Sequence, residues 1–289
     1  MNKRPRLLIL GCGDVGMRLL PLLVPRFRVF AQTRSNSMHE RIRALGAVPL
    51  QADFDQKATL ARLSGLAAHV IHLAPPQGEG VQDRRTRNLL AILPQCRNLV
   101  YISTSGVYGD CAGAWVDETR PCAPCNARAR RRVDAECVLR AWARQSGARL
   151  AILRVPGIYA DNRLPLERLQ KGTPALQASD DAYTNHIHAD DLAQIIVQAL
   201  FHARPCRVYH AVDDSELRMG EYFDLVADNL GLPRPLRLPR EQLKQAVSPQ
   251  LWSFMAESRR LRNDRIKQEL RVRLRHATVA DFFLHGKTL

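Results

Sequence analysis

Lysine is nearly missing from this chain. Six of its 43 basic residues are lysine and 37 are arginine, against 28 acidic residues, a formal charge of +15. Aromatic residues make up only 6%. Two basic clusters stand out, Arg128 to Arg132 and Arg259-Arg260-Leu261-Arg262 through Arg275. Neither is interleaved with aromatics as a single-strand binding groove would be. No helix-turn-helix or zinc-finger spacing accompanies them, which argues against a nucleic-acid partner and for attraction to anionic substrates or nucleotides. No apolar run approaches the length of a membrane span. Met1-Asn2-Lys3-Arg4-Pro5 leads into a strand, not an apolar signal region, so a cytoplasmic protein with no membrane partner is expected. Seven scattered cysteines, an odd number, fit free thiols in a reducing compartment. No internal repeat or low-complexity linker is visible. With 289 residues, 46% of them hydrophobic, one large core or two modest ones can form.

What is present begins at the first strand. Arg6-Leu7-Leu8-Ile9-Leu10 runs into Gly11-Cys12-Gly13-Asp14-Val15-Gly16 and then an apolar helix. In that order the first glycine permits a tight turn and the second lets backbone approach a pyrophosphate. The third lets helix and strand pack closely. The helix N-terminus offers unpaired N–H groups and a positive dipole end. Dinucleotide binding is the expected function of this segment.

The second strand, Arg28-Val29-Phe30-Ala31-Gln32, lacks the acidic residue that accepts hydrogen bonds from an NAD ribose. It ends instead in Thr33-Arg34-Ser35. An arginine fork suits a 2′-phosphate, so NADP(H) is expected in preference to NAD(H), with Arg34 as discriminator.

Strands continue to alternate with helices. Strands are expected around 48–50, 68–73, 98–103 and 149–154, and helices near 39–45, 57–64, 82–93 and 128–145. A further helix starts at Ala189, capped by Asp190 or its neighbour, and 206–211 is a further strand. Pro21 should kink the first helix and Pro25 lie beyond its end. The pattern predicts an α/β fold, a doubly wound parallel (Rossmann) sheet with a small, mostly helical C-terminal lobe. The nucleotide domain is expected over 1–155 plus 186–212, and the substrate lobe over 156–185 plus 213–289.

Val100-Tyr101-Ile102-Ser103-Thr104-Ser105-Gly106-Val107-Tyr108-Gly109 resembles the fifth strand and active-site loop of the extended short-chain dehydrogenases/reductases, the NAD(P)-dependent epimerase/dehydratase group. Asp117-Glu118-Thr119-Arg120-Pro121, Leu153-Arg154-Val155-Pro156-Gly157-Ile158-Tyr159, His186-Ile187-His188-Ala189-Asp190-Asp191 and Asn263-Asp264-Arg265-Ile266 follow in the family's order. The resemblance implies a Ser or Thr that steadies the substrate oxygen, here Thr104. It also implies an adenine contact at Asp53, with Ala74, Pro75 and Pro156 completing the candidate cofactor set.

The family's Tyr-x-x-x-Lys pair is what the chain lacks. Aligned on Glu136, Arg132 stands at the Lys position and Arg128 at the Tyr position. Arg128 cannot donate a proton near neutral pH. The family's active-site Asn is also missing, with Asp83 the nearest polar residue. These losses, and G-x-G-x-x-G in place of G-x-x-G-x-x-G, resemble the atypical subgroups. Tyr108, Tyr159 and His188 are alternative acids, each set against a structural or pocket-lining role, and Thr104, Arg132, Arg128 and Tyr108 form the candidate catalytic set. His186 and His188 share one face of a strand, without a third ligand at metal spacing. Cys122-Ala123-Pro124-Cys125 is a lone Cys-x-x-Cys, too little for a metal or redox site.

Three functions follow. The first is an NADP-dependent oxidoreductase or epimerase/dehydratase acting on a small molecule, anionic or nucleotide-linked. The second is a catalytically silent NADP(H) sensor or regulator, and the third a binder of nucleic acid or another anionic partner. Relatives dimerise through the helix that carries the Tyr, so a homodimer stays open, although the arginines at 128 and 130–132 crowd that surface.

Overall fold

Seven short apolar runs become one parallel sheet. The computed structural model describes residues 4–94 and 96–285. Met1–Lys3, ahead of the first strand, and residues 286–289, at the end of the expected lobe, lie outside the described residues. The strands are β1 (Arg6–Leu10), β2 (Arg28–Thr33), β3 (Val48–Gln51), β4 (His69–His72), β5 (Asn98–Thr104), β6 (Arg149–Val155) and β7 (Arg207–His210). Their order is β7-β6-β5-β4-β1-β2-β3, and every neighbouring pair is parallel. The order reverses between β1 and β4, where a doubly wound sheet opens a crevice at its carboxyl edge.

Period-two alternation builds a core on each face. Leu7, Ile9, Val29, Ala31, Val100 and Ile102 pack with Leu19 and Leu20 of α1 (Asp14–Leu23) and with Ile195 and Ile196 of the long helix after β6. Leu8, Leu10, Phe30, Leu99 and Tyr101 point the other way. They meet Leu89 of α3 (Arg84–Leu90) and Ala135 and Leu139 of α4 (Ala127–Ser146). Further helices include α2 (His39–Ala44), α5 (Ala189–His202) and α6 (Met219–Leu230), and shorter ones lie in the lobe. α1 passes through Pro21 in its last turn and ends before Pro25. Asn126 caps α4 by accepting the Ala129 N–H at 2.9 Å, and Gly147 ends it at φ +70°.

Two local expectations are corrected. Residues 57–63 form a 3₁₀ helix, not an α-helix. There the Thr59 hydroxyl lies against the carbonyls of Asp53 and Gln56, at 3.0 and 2.8 Å, an alternative to regular helical bonding. The cap of α5 is His188, whose Nδ1 accepts the Asp190 N–H at 3.3 Å. Asp190 is paired with Arg18 at 2.6 Å, and Asp191 accepts the N–H groups of Arg275 and His276.

A separate apolar cluster joins Tyr222, Phe223 and Val226 of α6 to Tyr159, Leu169 and Phe282. Short pairings bring distant segments to the carboxyl edge: Gly157–Tyr159 with His186–His188, and Trp115–Val116 with Arg260–Leu261. Among the described residues no helix is long and apolar enough to cross a membrane.

Candidate active site

The glycine loop has the backbone its sequence requires. Gly11 sits at φ +82°, and a Cβ there would lie 2.7–2.9 Å from Ala74. Gly16 faces the Cys12 sulfur and Leu73 so closely that a Cβ would reach 2.9 Å from that sulfur. Gly13 differs: it is exposed, with nothing within 4 Å of an added Cβ. Buried Gln32 fixes the loop, its Oε1 accepting the Gly11 N–H and its backbone carbonyl the Cys12 N–H, both at 2.8 Å. No side chain caps α1, so its first-turn N–H groups face the open space beside Gly13. Val15 packs into the core, and the buried Cys12 thiol has its pKa pushed up to about 12 by burial. Gly11→Ala is expected to lower stability by about 2–4 kcal/mol through clash and strain. Gly13→Ala should change it by less than about 0.5 kcal/mol, and urea unfolding of the two variants measures the contrast.

Asp14 places a carboxylate in this first turn, and its neighbours neutralise it. It is bonded by Asn162 at 3.1 Å, Arg163 at 3.2 Å and Arg18 at 3.4 Å. Burial works against the charge, but these bonds outweigh it and hold the carboxyl below its ordinary pKa.

Beyond β2 and β3 lies an open cleft of about 510 Å³. Arg34, Asp53, Thr59 and Arg62 line it. Thr33 is buried and its Oγ1 accepts the Ser35 N–H at 3.2 Å, which turns the chain so that Arg34 and Ser35 are exposed. Neither Arg34 nor Arg62 makes a hydrogen bond or ion pair among the described residues. Asp53 Oδ1 accepts the Asp55 N–H at 3.0 Å. Ala74 is buried under Gly11, and exposed Pro75 accepts a bond from Arg85 at 3.1 Å.

A second cavity, of about 210 Å³, lies at the carboxyl ends of β5 and β6. Thr104, Arg128 and Pro156 line it together, joined by Tyr183, Phe254, Glu257 and Arg259. Thr104 Oγ1 accepts the Gly106 N–H at 3.3 Å, which leaves the hydroxyl hydrogen free. The Arg128 guanidinium lies 3.8 Å from the Phe254 ring centroid. Burial lowers its pKa, Glu257 works against that shift, and neighbouring Arg131 and Arg132 add to it. Arg259 donates to the Gly109 carbonyl at 2.6 Å and to Glu257 at 2.9 Å.

The other candidate catalytic residues are elsewhere. Arg132 turns to the back of β5 and donates to the Ile102 carbonyl at 2.8 Å and the Tyr101 hydroxyl at 3.0 Å. Tyr108 is 1% exposed and does not line the cavity. Its hydroxyl accepts from Arg154 at 2.7 Å and lies 2.6 Å from His210 Nε2. His210 Nδ1 faces the Arg262 carbonyl at 2.9 Å. A carbonyl only accepts, so Nδ1 carries the proton and Tyr108 donates to Nε2. Burial raises the Tyr108 pKa and lowers that of His210 to about 3. Glu136 completes this network, bonded by Arg154 at 2.7 and 3.1 Å and by Ser103 at 2.6 Å.

Asp83 is the buried cap of α3, accepting from Thr86. Tyr159 is buried in the lobe cluster. Burial lowers His186 and His188 to about 3 and 4, and His186 stacks on Tyr222 at 4.1 Å. Cys122 and Cys125 are free thiols, the first accepting from Arg154 at 3.1 Å and the second exposed. No group of three or more His, Cys, Asp or Glu that could hold a metal occurs among the described residues. The first basic cluster is largely folded inward. Arg131 donates to the Gly80 carbonyl at 2.6 Å, and Arg130 is its one exposed member.

Sequence reasoning missed Arg62 in the outer cleft and Tyr183, Phe254, Glu257 and Arg259 in the inner cavity. Arg62 comes from the 3₁₀ helix over 57–63, and the other four from the lobe, where only Arg259 stands out in the sequence, as part of a basic cluster.

Comparison with known proteins agrees with this architecture. The model of the NAD dependent epimerase/dehydratase family matches residues 8–212. A conserved protein of unknown function from Silicibacter pomeroyi is 32% identical, with 98% of each chain covered and a TM-score of 0.81. UDP-glucose 4-epimerase from Thermotoga maritima, solved with UDP-glucose, shares the fold at 16% identity, covering 98% of this chain and 99% of that one, with a TM-score of 0.77. dTDP-glucose 4,6-dehydratase from Streptomyces venezuelae, solved with NAD bound, does so at 22% identity, 96% and 94% coverage and a TM-score of 0.78. No curated protein matches the chain in sequence. The match over more than half of its length places the chain in the NAD-dependent epimerase/dehydratase family.

Proposed function

We propose that this protein is an NADP(H)-dependent oxidoreductase of the epimerase/dehydratase family that works without the Tyr-x-x-x-Lys pair. One observation carries the cofactor assignment: Arg34 and Arg62 face one cleft at the ends of β2 and β3, neither bonded to another described residue. Two unpaired guanidiniums there fit a 2′-phosphate, where an NAD site would have a carboxylate. The open space over Gly13 and the uncapped start of α1 fit the pyrophosphate, with Asp14 held aside by Arg18, Asn162 and Arg163. When bound, the nicotinamide supplies or accepts the hydride.

The chain's own residues handle the substrate oxygen. Thr104 at the end of β5 has a hydroxyl hydrogen free to donate to that oxygen, and Pro156 forms the neighbouring wall. Among the described residues Tyr183 is the one phenol lining the cavity, and we assign to it the proton exchanged with the oxygen. Tyr108 and Arg132 are read as structural, since both bond to groups outside the cavity. The nucleotide domain is taken as 1–155 plus 186–212, and the substrate lobe as 156–185 plus 213–289.

NADPH oxidation against a panel of small aldehydes, ketones and oxo acids tests this. Thr104→Ala and Tyr183→Phe should each lower kcat by about 100-fold. NADPH binding without turnover of any compound would favour the regulatory reading instead.

A further inference from the structure

We infer that the substrate is a compact molecule bearing a permanent oxyanion, a carboxylate or a phosphate, and that Arg128 binds it. This rests on the reading that the cavity beside Thr104 receives the substrate.

Two cations, Arg128 and Arg259, and one anion, Glu257, line the cavity. The anion is already engaged, bonded by Arg259 at 2.9 Å and by Asn126 at 3.4 Å. Arg259 is further tied to the Gly109 carbonyl at 2.6 Å. Arg128 has no hydrogen bond or ion pair among the described residues. Glu257 attracts it only from beyond salt-bridge distance, and with two cations against this one anion the cavity carries a net positive charge.

Its orientation is fixed without consuming its donors. The guanidinium lies over the Phe254 ring at 3.8 Å, a contact made through its face. The planar fork of N–H groups at its edge is left free, and that fork matches carboxylate and phosphate oxygens. Helix stability does not explain the residue, because a cation in the first turn of α4 opposes the helix dipole. Size narrows the class further. The cavity's 210 Å³ is smaller than the ~300–1,000 Å³ of pockets for drug-sized ligands, so the substrate is smaller than a nucleotide sugar. Arg128 is thus an anchor for a charged group, at the position where relatives keep a proton donor.

The test is calorimetric titration of the full chain, with and without NADPH, using malonate, inorganic phosphate, acetone and UDP-glucose as probes. Malonate or phosphate should bind, and whichever binds more tightly identifies the oxyanion. Arg128→Gln should weaken that binding about 10- to 100-fold while NADPH affinity stays unchanged. Arg128→Lys, which retains the charge, should recover part of it and guards against a folding defect in the first variant. Equal oxyanion affinity in wild type and Arg128→Gln would overturn the assignment, as would UDP-glucose binding more tightly than either small anion. If NADPH fails to bind but the oxyanion binds through Arg128, the cofactor reading fails and this one stands.

Discussion

Glu136→Gln is expected to lower the melting temperature by roughly 10 °C, a loss of about 3–5 kcal/mol. Glu136 and Arg154 are 3% and 4% exposed, and their bidentate contact joins α4 to β6 beneath the active-site loop. Burial works against the Arg154 charge, and the bonds to Glu136 more than offset it, so its pKa stands above the ordinary arginine value. Glutamine keeps one acceptor oxygen for the guanidinium but removes its countercharge, leaving Arg154 buried with only neutral partners, Tyr108 and Cys122 among them. The loss is therefore an unpaired buried charge, not one missing hydrogen bond. Glu136→Leu combined with Arg154→Met should recover most of the stability, because removing both charges removes the desolvation penalty. Thermal unfolding of the single and double variants decides the matter. A single variant within about 2 °C of wild type would mean that the pair contributes little.

Arg34→Asp should change the ratio of NADPH to NADH affinity by about 100-fold or more. The substitution removes charge-assisted bonds worth about 1.5–3 kcal/mol and sets a carboxylate against the 2′-phosphate. The same carboxylate can accept from a ribose 2′-hydroxyl, so NADH binding should be held or improved. Arg34 is exposed and bonded to no described residue, so stability should shift by less than about 0.5 kcal/mol. Arg62→Gln should lower NADPH affinity less, with little effect on NADH. An unchanged cofactor ratio in Arg34→Asp would remove this arginine from the site.

The sheet was legible because parallel strands buried on both faces read as apolar runs, and because glycine spacing encodes backbone limits directly. Gly11 must adopt a positive φ against Ala74, and no other residue does so easily. The basic run at 128–132 was harder to read. On a helix, successive residues turn about 100°, which sends Arg128 to the cavity, Arg131 to Gly80 and Arg132 to the back of β5. A linear charge count cannot separate those fates. The cavity wall was not legible at all. Tyr183, Phe254 and Arg259 come from short elements whose local patterns are weak, and tertiary pairing alone brings them to Thr104.

The measurement that bears most directly on the account is calorimetric titration of the purified protein with NADPH, NADP⁺, NADH and NAD⁺. The two phosphorylated forms should bind at least about 10-fold more tightly than their counterparts, one charge-assisted bond's worth of discrimination. Tighter binding of NADH, or binding of none of the four, would contradict it.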